Sequence, residues 1–286
     1  MFLSFTSREV LLTRLYRLIS NEAAGLRSYS QQYEYDELGN ILQVIHQISQ
    51  AGTGNWNRYY HYNAGFTKNY LLSTSTDHQQ PTQDQYTYNA HGNMLQMPHL
   101  SEMGWDYADR LRSTKINAEE VVYYTYDAAG DRVRKIREKN DGGKWERLYL
   151  GDFEYYREVN AGGTIEKERT TLHVSDDTGR ICLSERVTIE SSTSKDLSAS
   201  PYIFRYQLSN HLGSAAMELD ETAQVISYEE YYPFGSTSYW TGRSESEVKQ
   251  KRYRYVGKEK DGETGLYYYG ARYYAAWSGR AACVGL

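Results

Sequence analysis

Tyr124-Thr125-Tyr126-Asp127-Ala128-Ala129-Gly130-Asp131, followed directly by Arg132-Val133-Arg134-Lys135-Ile136, is the stretch on which the fold turns. Tyr-x-Tyr at a period of two puts both rings on one side of a strand. Asp127 then stands at the first position of a turn, where its side chain can bond the backbone two residues on. Gly130 comes three later, where a positive φ costs least. The run after it supplies the return strand. The same text recurs upstream: Tyr33-Glu34-Tyr35-Asp36-Glu37-Leu38-Gly39-Asn40 leads into Ile41-Leu42-Gln43-Val44, and Tyr86-Thr87-Tyr88-Asn89-Ala90-His91-Gly92-Asn93 leads into Met94-Leu95-Gln96-Met97. All three read Tyr-x-Tyr-[Asp/Asn]-x-x-Gly-[Asn/Asp], so each unit is predicted to be a β-hairpin with these positions as its structural signature.

Gly39, Gly92 and Gly130 are unevenly spaced, which argues for extra strands between hairpins and against a regular propeller. Trp56 to Asn63 and Trp105 to Leu111 read as such strands, with degenerate versions of the same turn. Asn140-Asp141-Gly142-Gly143 is a hairpin turn, and Ala161-Gly162-Gly163 and Asp177-Thr178-Gly179 mark two more. Ser191 to Ser200, Ser/Thr-rich and followed by Pro201, reads as an exposed loop and as the best internal boundary. From Tyr202 onward the chain is dense in tyrosine and glycine. At the other end, Leu11, Leu15 and Leu18 follow helical spacing and predict a short amphipathic helix. The charges among them rule out a signal-peptide core or a transmembrane span.

The composition agrees with a sheet protein. Thirty tyrosines stand against 6 Phe and 5 Trp in 286 residues, with 23 Gly and 4 Pro. Tyrosine favours strands and can pack its ring while its hydroxyl stays wet. A net charge of −5, from 32 basic and 37 acidic residues, leaves no basic excess to neutralise phosphates along a nucleic acid. The Arg132-Val133-Arg134-Lys135 run alternates with apolar residues and reads as the solvated side of a strand. Cys182 and Cys283 are far apart and form neither a disulfide framework nor a zinc knuckle. No export signal and no Asn-x-Ser/Thr acceptor is present in the chain.

The hairpin units resemble the YD repeats of the Rhs family, which also occur in the C components of insecticidal toxin complexes. The last third resembles the Rhs repeat-associated core: Tyr206 to Ser214 with Asn210-His211-Leu212-Gly213, Tyr231-Tyr232-Pro233-Phe234-Gly235, Arg252 to Glu259 with Gly257-Lys258-Glu259, and Thr264-Gly265-Leu266-Tyr267-Tyr268-Tyr269-Gly270-Ala271-Arg272-Tyr273-Tyr274. The resemblance implies a long sheet spiralling into a hollow shell that holds a toxic segment unfolded, with the core plugging one end. In that family the core also cuts the chain behind itself, using aspartates in Asp-Pro-x-Gly motifs. Here the chain runs from Ala275 to Leu286 without an aspartate, and none of Pro81, Pro98, Pro201 and Pro233 follows one, so no protease residue carries across.

Other chemistry is sparse. Asp176-Asp177 precedes Thr178-Gly179 and reads as a turn, and Glu229-Glu230 sits in a strand that sends its two side chains to opposite faces. His46, His61, His78, His91, His99, His173 and His211 form no zinc-binding spacing. His211, in the Asn-His-Leu-Gly turn, reads as a turn residue before a general base. No nucleophile elbow, P-loop or dinucleotide fingerprint occurs, and no cofactor or metal is implied.

The expectation is therefore an all-β protein of successive antiparallel hairpins forming part of a spiralling YD-repeat shell. It divides into residues 1–30, a repeat region at 31–200, the core at 201–280 and a tail at 281–286. Its partners are the rest of a longer shell or a companion toxin-complex subunit, and a toxin cargo, in a secreted or cell-surface assembly without nucleic acid. Open sheet edges argue that it works as a portion of something larger. A glycan-binding β-module, and a self-cleaving aspartyl protease core that has lost its catalytic end, are the rival readings.

Overall fold

The fold comes from a computed structural model that describes residues 10–12, 28–48, 54–63, 69–191, 201–270 and 272–283. The chain forms two compact units, residues 1–98 and 99–286.

In the first unit β1 (Val10–Leu12), β2 (Tyr29–Tyr35), β3 (Ile41–Ile48), β4 (Trp56–Tyr62), β5 (Leu71–Ser75) and β6 (Asp84–Gln85) form one antiparallel sheet in chain order. A separate pair, β7 (Thr87–Tyr88) and β8 (Met94–Gln96), carries the second Tyr-x-Tyr unit. Leu11 lies in β1 opposite Ser30, in a strand and not in the helix its spacing suggested. Leu15 and Leu18 lie outside the described residues.

The second unit is built on one twelve-stranded antiparallel sheet, again in chain order. Its strands are β9 (Glu102–Trp105), β10 (Leu111–Lys115), β11 (Val121–Tyr126), β12 (Arg132–Glu138), β13 (Lys144–Leu150), β14 (Phe153–Val159), β15 (Ile165–Asp176), β16 (Gly179–Glu190), β17 (Ile203–Ser209), β18 (Ala215–Leu219), β19 (Val225–Tyr231) and β20 (Thr237–Gly242). Then come α1 (Glu245–Gln250), a 3-10 turn at Tyr255–Gly257, and a small sheet of β21 (Glu259–Lys260), β22 (Tyr267–Tyr268), β23 (Tyr273–Ala275) and β24 (Arg280–Ala281). β16 pairs with β17 from Cys182 opposite Tyr206 to Glu185 opposite Ile203. The sheet thus runs on across the Ser/Thr-rich stretch expected as a boundary, of which 192–200 lie outside the described residues.

Chain-order pairing follows from one local device used again and again. At Asp36, the amide of the first turn residue donates to the carbonyl of the fifth, Asn40, and the amide of the fourth, Gly39, donates back to the first. The same two bonds recur in turns beginning at Asn89, Asp106, Asp127, Lys139, Asn160, Asn210, Asp220, Tyr232 and Arg254. In every one the fourth residue has positive φ. A type I turn followed by a left-handed residue is a three-residue hairpin loop, and it forces one extra residue into the register. Asp36, Asn89, Asp106, Asn210 and Asp220 each accept amide hydrogens two and four residues on, as the turn chemistry predicts. Glycine is dispensable at the fourth position: Asp109 and Ala223 occupy it at φ 55° and 60°.

The tyrosine just before a turn is there for its hydroxyl. Tyr62 donates to the carbonyl of Ile41 at 3.1 Å, Tyr88 to Leu71 at 2.9 Å, Tyr126 to Leu111 at 2.7 Å and Tyr231 to Ala215 at 3.0 Å. Each acceptor is the first residue of an earlier strand. Phenylalanine would fill the same space but take that donor away from the carbonyl.

Candidate functional site

The place where most signature residues of the last third converge is one face of the twelve-stranded sheet, onto which the segment from α1 to β24 is fastened. The turn Tyr232-Pro233-Phe234-Gly235 is held by three phenols. Tyr255 donates to the Pro233 carbonyl at 2.8 Å, Tyr274 to Phe234 at 2.8 Å and Tyr267 to Gly235 at 3.1 Å. A methyl group on Gly235 would run into the Tyr255 ring, so this motif needs glycine for space as well as for its φ of 91°. Nearby, the Asn210 turn meets the Arg254 turn. The Ala215 amide donates to the Arg254 carbonyl at 3.0 Å and the Val256 amide to the Ser214 hydroxyl at 2.9 Å.

Buried charge makes the second fastening. Arg132 donates to Glu259 at 2.6 Å and to Asp261 at 2.8 Å, and Lys135 bonds Asp261 at 2.5 Å and Glu263 at 2.9 Å. Arg132, Lys135, Glu259 and Asp261 are all under 5% exposed. The reading of Arg132 and Lys135 as a solvated strand side is therefore corrected. The register shift after the Asp127 turn, with Tyr126 opposite Arg132 and Thr125 opposite Arg134, brings Arg132 and Lys135 to one face despite their odd spacing. Aromatic rings enclose the guanidinium: Tyr268 lies 4.3 Å and Tyr149 5.0 Å from it. Tyr273 ties this knot to the repeat, accepting from Arg132 at 3.2 Å and lying 3.0 Å from the Tyr126 hydroxyl.

Further acids on the same face continue the pattern. Glu154 bonds Arg147 at 2.8 Å, Arg252 at 2.6 Å and His173 at 2.7 Å, and accepts from the Tyr253 hydroxyl. Arg180 donates to the other His173 nitrogen at 2.8 Å, so that nitrogen serves as an acceptor. Glu229 takes Arg254 at 2.6 Å, Lys251 at 3.1 Å and the hydroxyls of Thr237 and Tyr231. Glu218 takes Arg205 at 2.5 Å and Ser227 at 2.8 Å. Burial by itself would raise these carboxyls. The cations reverse it and hold Glu154, Glu218, Glu229 and Glu259 below the ordinary carboxylate range. For Lys135, burial pulls downward, but Asp261 with Glu263 and Glu259 holds the ammonium above its ordinary value. Every charge so placed is compensated in a fixed arrangement, which suits a fastening more than proton transfer.

Of the residues singled out in the sequence, Gly235, Gly257, Glu259, Thr264, Gly265, Leu266, Tyr268 and Tyr273 enter this fastening or the small sheet behind it. His211 and Leu212 are exposed at the tip of their turn, whose bonds Asn210 makes, and Arg272 is exposed too. Asp176 accepts from the Thr178 amide and hydroxyl and from Gly179, as a turn residue does. Tyr33, Tyr86 and Tyr124 are buried in their hairpins, while Tyr35 is exposed. The charged partners of Arg132 and Lys135, and the Glu154 and Glu229 clusters, were not legible beforehand, because the partners lie more than a hundred residues away or alternate with apolar positions. Among the described residues no group of three His, Cys, Asp or Glu could hold a metal ion. None of their helices is long and apolar enough to cross a membrane.

Comparison with known proteins places this architecture. The chain is 31% identical over 264 residues to toxin subunit YenC1 of Yersinia entomophaga and 30% identical over 277 residues to YenC2 of the same organism, matches that cover 88% and 92% of this chain. It spans about a quarter of the length of both, 26% and 27%. Among solved structures it is similar to the TcdB2-TccC3 crystal structure, with a TM-score of 0.76 at 27% identity over 90% of this chain and 12% of that one. It is likewise similar to a chain of the Photorhabdus luminescens Tc holotoxin pore, with a TM-score of 0.77 at 26% identity over 91% of this chain and 12% of the other. A more distant likeness, 28% over 178 residues, is to the tRNA nuclease WapA of Bacillus subtilis and covers 7% of that protein. No protein-family model matches. The all-β antiparallel fold expected from the hairpins is the one observed, and the similar proteins that match nine-tenths or so of the chain are toxin subunits.

Proposed function

We propose that this chain is a stretch of the wall of an Rhs/YD-repeat shell in a secreted toxin complex, with residues 201–280 as its repeat-associated core, and that it encloses a toxin segment without catalysis of its own. Its partners in this reading are the remainder of a longer shell or a companion toxin-complex subunit, and the enclosed segment.

The observation that carries the proposal is the difference between the two faces of the central sheet. Glu154, His173 and Arg205 are buried on the fastened face, and their immediate neighbours point the other way. Those neighbours are Phe153, Leu172, Val174, Phe204 and Tyr206, all exposed, joined by Leu150 and Leu208. Cross-strand pairing brings Leu150, Phe153 and Leu172 side by side. Such a patch marks a contact surface. Apolar contact is non-directional, so a wall of this kind can hold an unfolded segment without requiring it to order. The likeness to YenC1, YenC2 and TcdB2-TccC3 supports the same reading. The WapA match does not argue for a nuclease, since almost all of that protein lies outside it.

The test is a chimera in which this chain replaces the matching stretch of YenC1. The segment downstream of the graft should resist added protease until the assembly is denatured. Digestion at the rate of the same segment in free form would sink the encapsulation reading.

A further inference from the structure

A cleft of about 280 Å³ lies between the central sheet and the segment fastened to it. Seven of the residues around it are lysine or arginine and two are glutamate. Its floor is a cross-strand row on β12 to β15, in which Lys135 stands opposite Arg147, Arg147 opposite Tyr156, and Tyr156 opposite Arg169. Arg147 and Arg169 lie 4.8 and 5.7 Å from the one Tyr156 ring between them. Lys260 and Arg252 close the cleft from the other side.

These cations differ in how well they are compensated. Lys135, Arg147 and Arg252 each hold a carboxylate at 2.5 to 2.8 Å. Arg169 does not. It is 7% exposed, its carboxylate, Glu185, is 3.7 Å away, and its remaining contact is the Gln250 side-chain oxygen at 3.4 Å. Its Nε is buried with no hydrogen-bond partner, a desolvation that is most costly for a charged group. Lys260 contributes to the wall, but its ammonium rests over the Tyr267 ring at 5.6 Å, outside the cleft lining. Burial depresses Arg169, and Arg147 and Arg252 beside it press the same way.

We propose that this cleft is a binding site for a phosphate or small phosphate monoester, seated on Arg169. The planar guanidinium offers parallel N–H groups that match two oxygens of a tetrahedral oxyanion, and the excess of cations over glutamates in the lining favours an anion there. A doubly charged phosphate supplies the compensation that Glu185 at its distance does not. Nothing in the shell reading requires such a site, so the two stand or fall separately.

Titration calorimetry of the full chain at low salt tests it, with inorganic phosphate, glycerol phosphate and succinate as probes. Phosphate is expected to bind, with affinity falling at least tenfold in Arg169→Lys and in Arg169→Gln and unchanged in Lys115→Gln, which alters an exposed ion pair outside the cleft. Tighter binding of glycerol phosphate than of phosphate would assign the site to an ester, and the reverse to the free anion, both in support. No binding by the wild-type chain, equal binding by Arg169→Gln, or succinate binding as well as phosphate would each overturn the proposal.

Discussion

A methyl group added at Gly39 would meet open space, whereas at Gly235 it would strike the Tyr255 ring. Both residues have positive φ, 81° and 91°, so Gly39→Ala is expected to lose only the left-handed backbone preference, about 1–2 kcal/mol. Gly235→Ala should lose more and should also loosen the three tyrosine bonds on that turn. Equal losses in denaturant melts would show that Tyr255 does not pack as described. The converse change belongs to Ala223, which sits at φ 60° where other turns carry glycine. Ala223→Gly should stabilise by about 1 kcal/mol, read as a rise in denaturant midpoint at constant m-value. The hydroxyls can be weighed too. Tyr231→Phe removes the one hydroxyl hydrogen shared between the Ala215 carbonyl and Glu229 and should cost about 1–3 kcal/mol.

Between elements, the bond of the small sheet and α1 to β12, β14, β18 and β19 is largely ionic, and its pH dependence has a definite sign. The carboxyls of Glu154, Glu218, Glu229 and Glu259 are depressed in the folded chain. Their stabilisation is therefore complete above the unfolded glutamate value, about 4.3. It is lost as pH falls through the lower folded values, because there the unfolded chain binds more protons. Stability should be nearly flat from pH 7 to 5 and drop below about pH 4, with β21 to β24 the first amides to exchange. Unchanged melts down to pH 3 would contradict this. Asp261→Asn should cost about 3–5 kcal/mol, since it leaves two buried cations with one carboxylate each, Arg132 with Glu259 and Lys135 with Glu263. Asp261→Asn combined with Lys135→Met should recover part of that loss, because one of the two under-compensated cations goes with it.

Over the whole molecule, a long antiparallel sheet in chain order leaves edges. Among the described residues β20 pairs only with β19 and β9 only with β10. Unpaired edges recruit further strands, so sedimentation of the isolated chain should show concentration-dependent association. A monodisperse monomer across the micromolar range would argue against dependence on a larger assembly. The hairpins themselves were readable in advance, because Tyr-x-Tyr, the Asp or Asn after it and the glycine three further on act within eight residues of each other. Turns at Asp106, Asp220, Tyr232 and Arg254 follow the same bond pattern with a different fourth residue or first residue, and so were only partly visible. The burial of Arg132 and Lys135 was not readable at all. It depends on a register shift that turns an odd spacing into a shared face, and on acids at Glu259 and Asp261 that reach them only once the segment after β20 folds back. Local turn chemistry and strand period thus wrote the antiparallel sheet into the sequence. Which charges lie buried, which sheet face stays open and where a cationic cleft forms were decided by long-range packing, since an ion pair's partner is chosen by proximity in space and carries no mark in the order of residues.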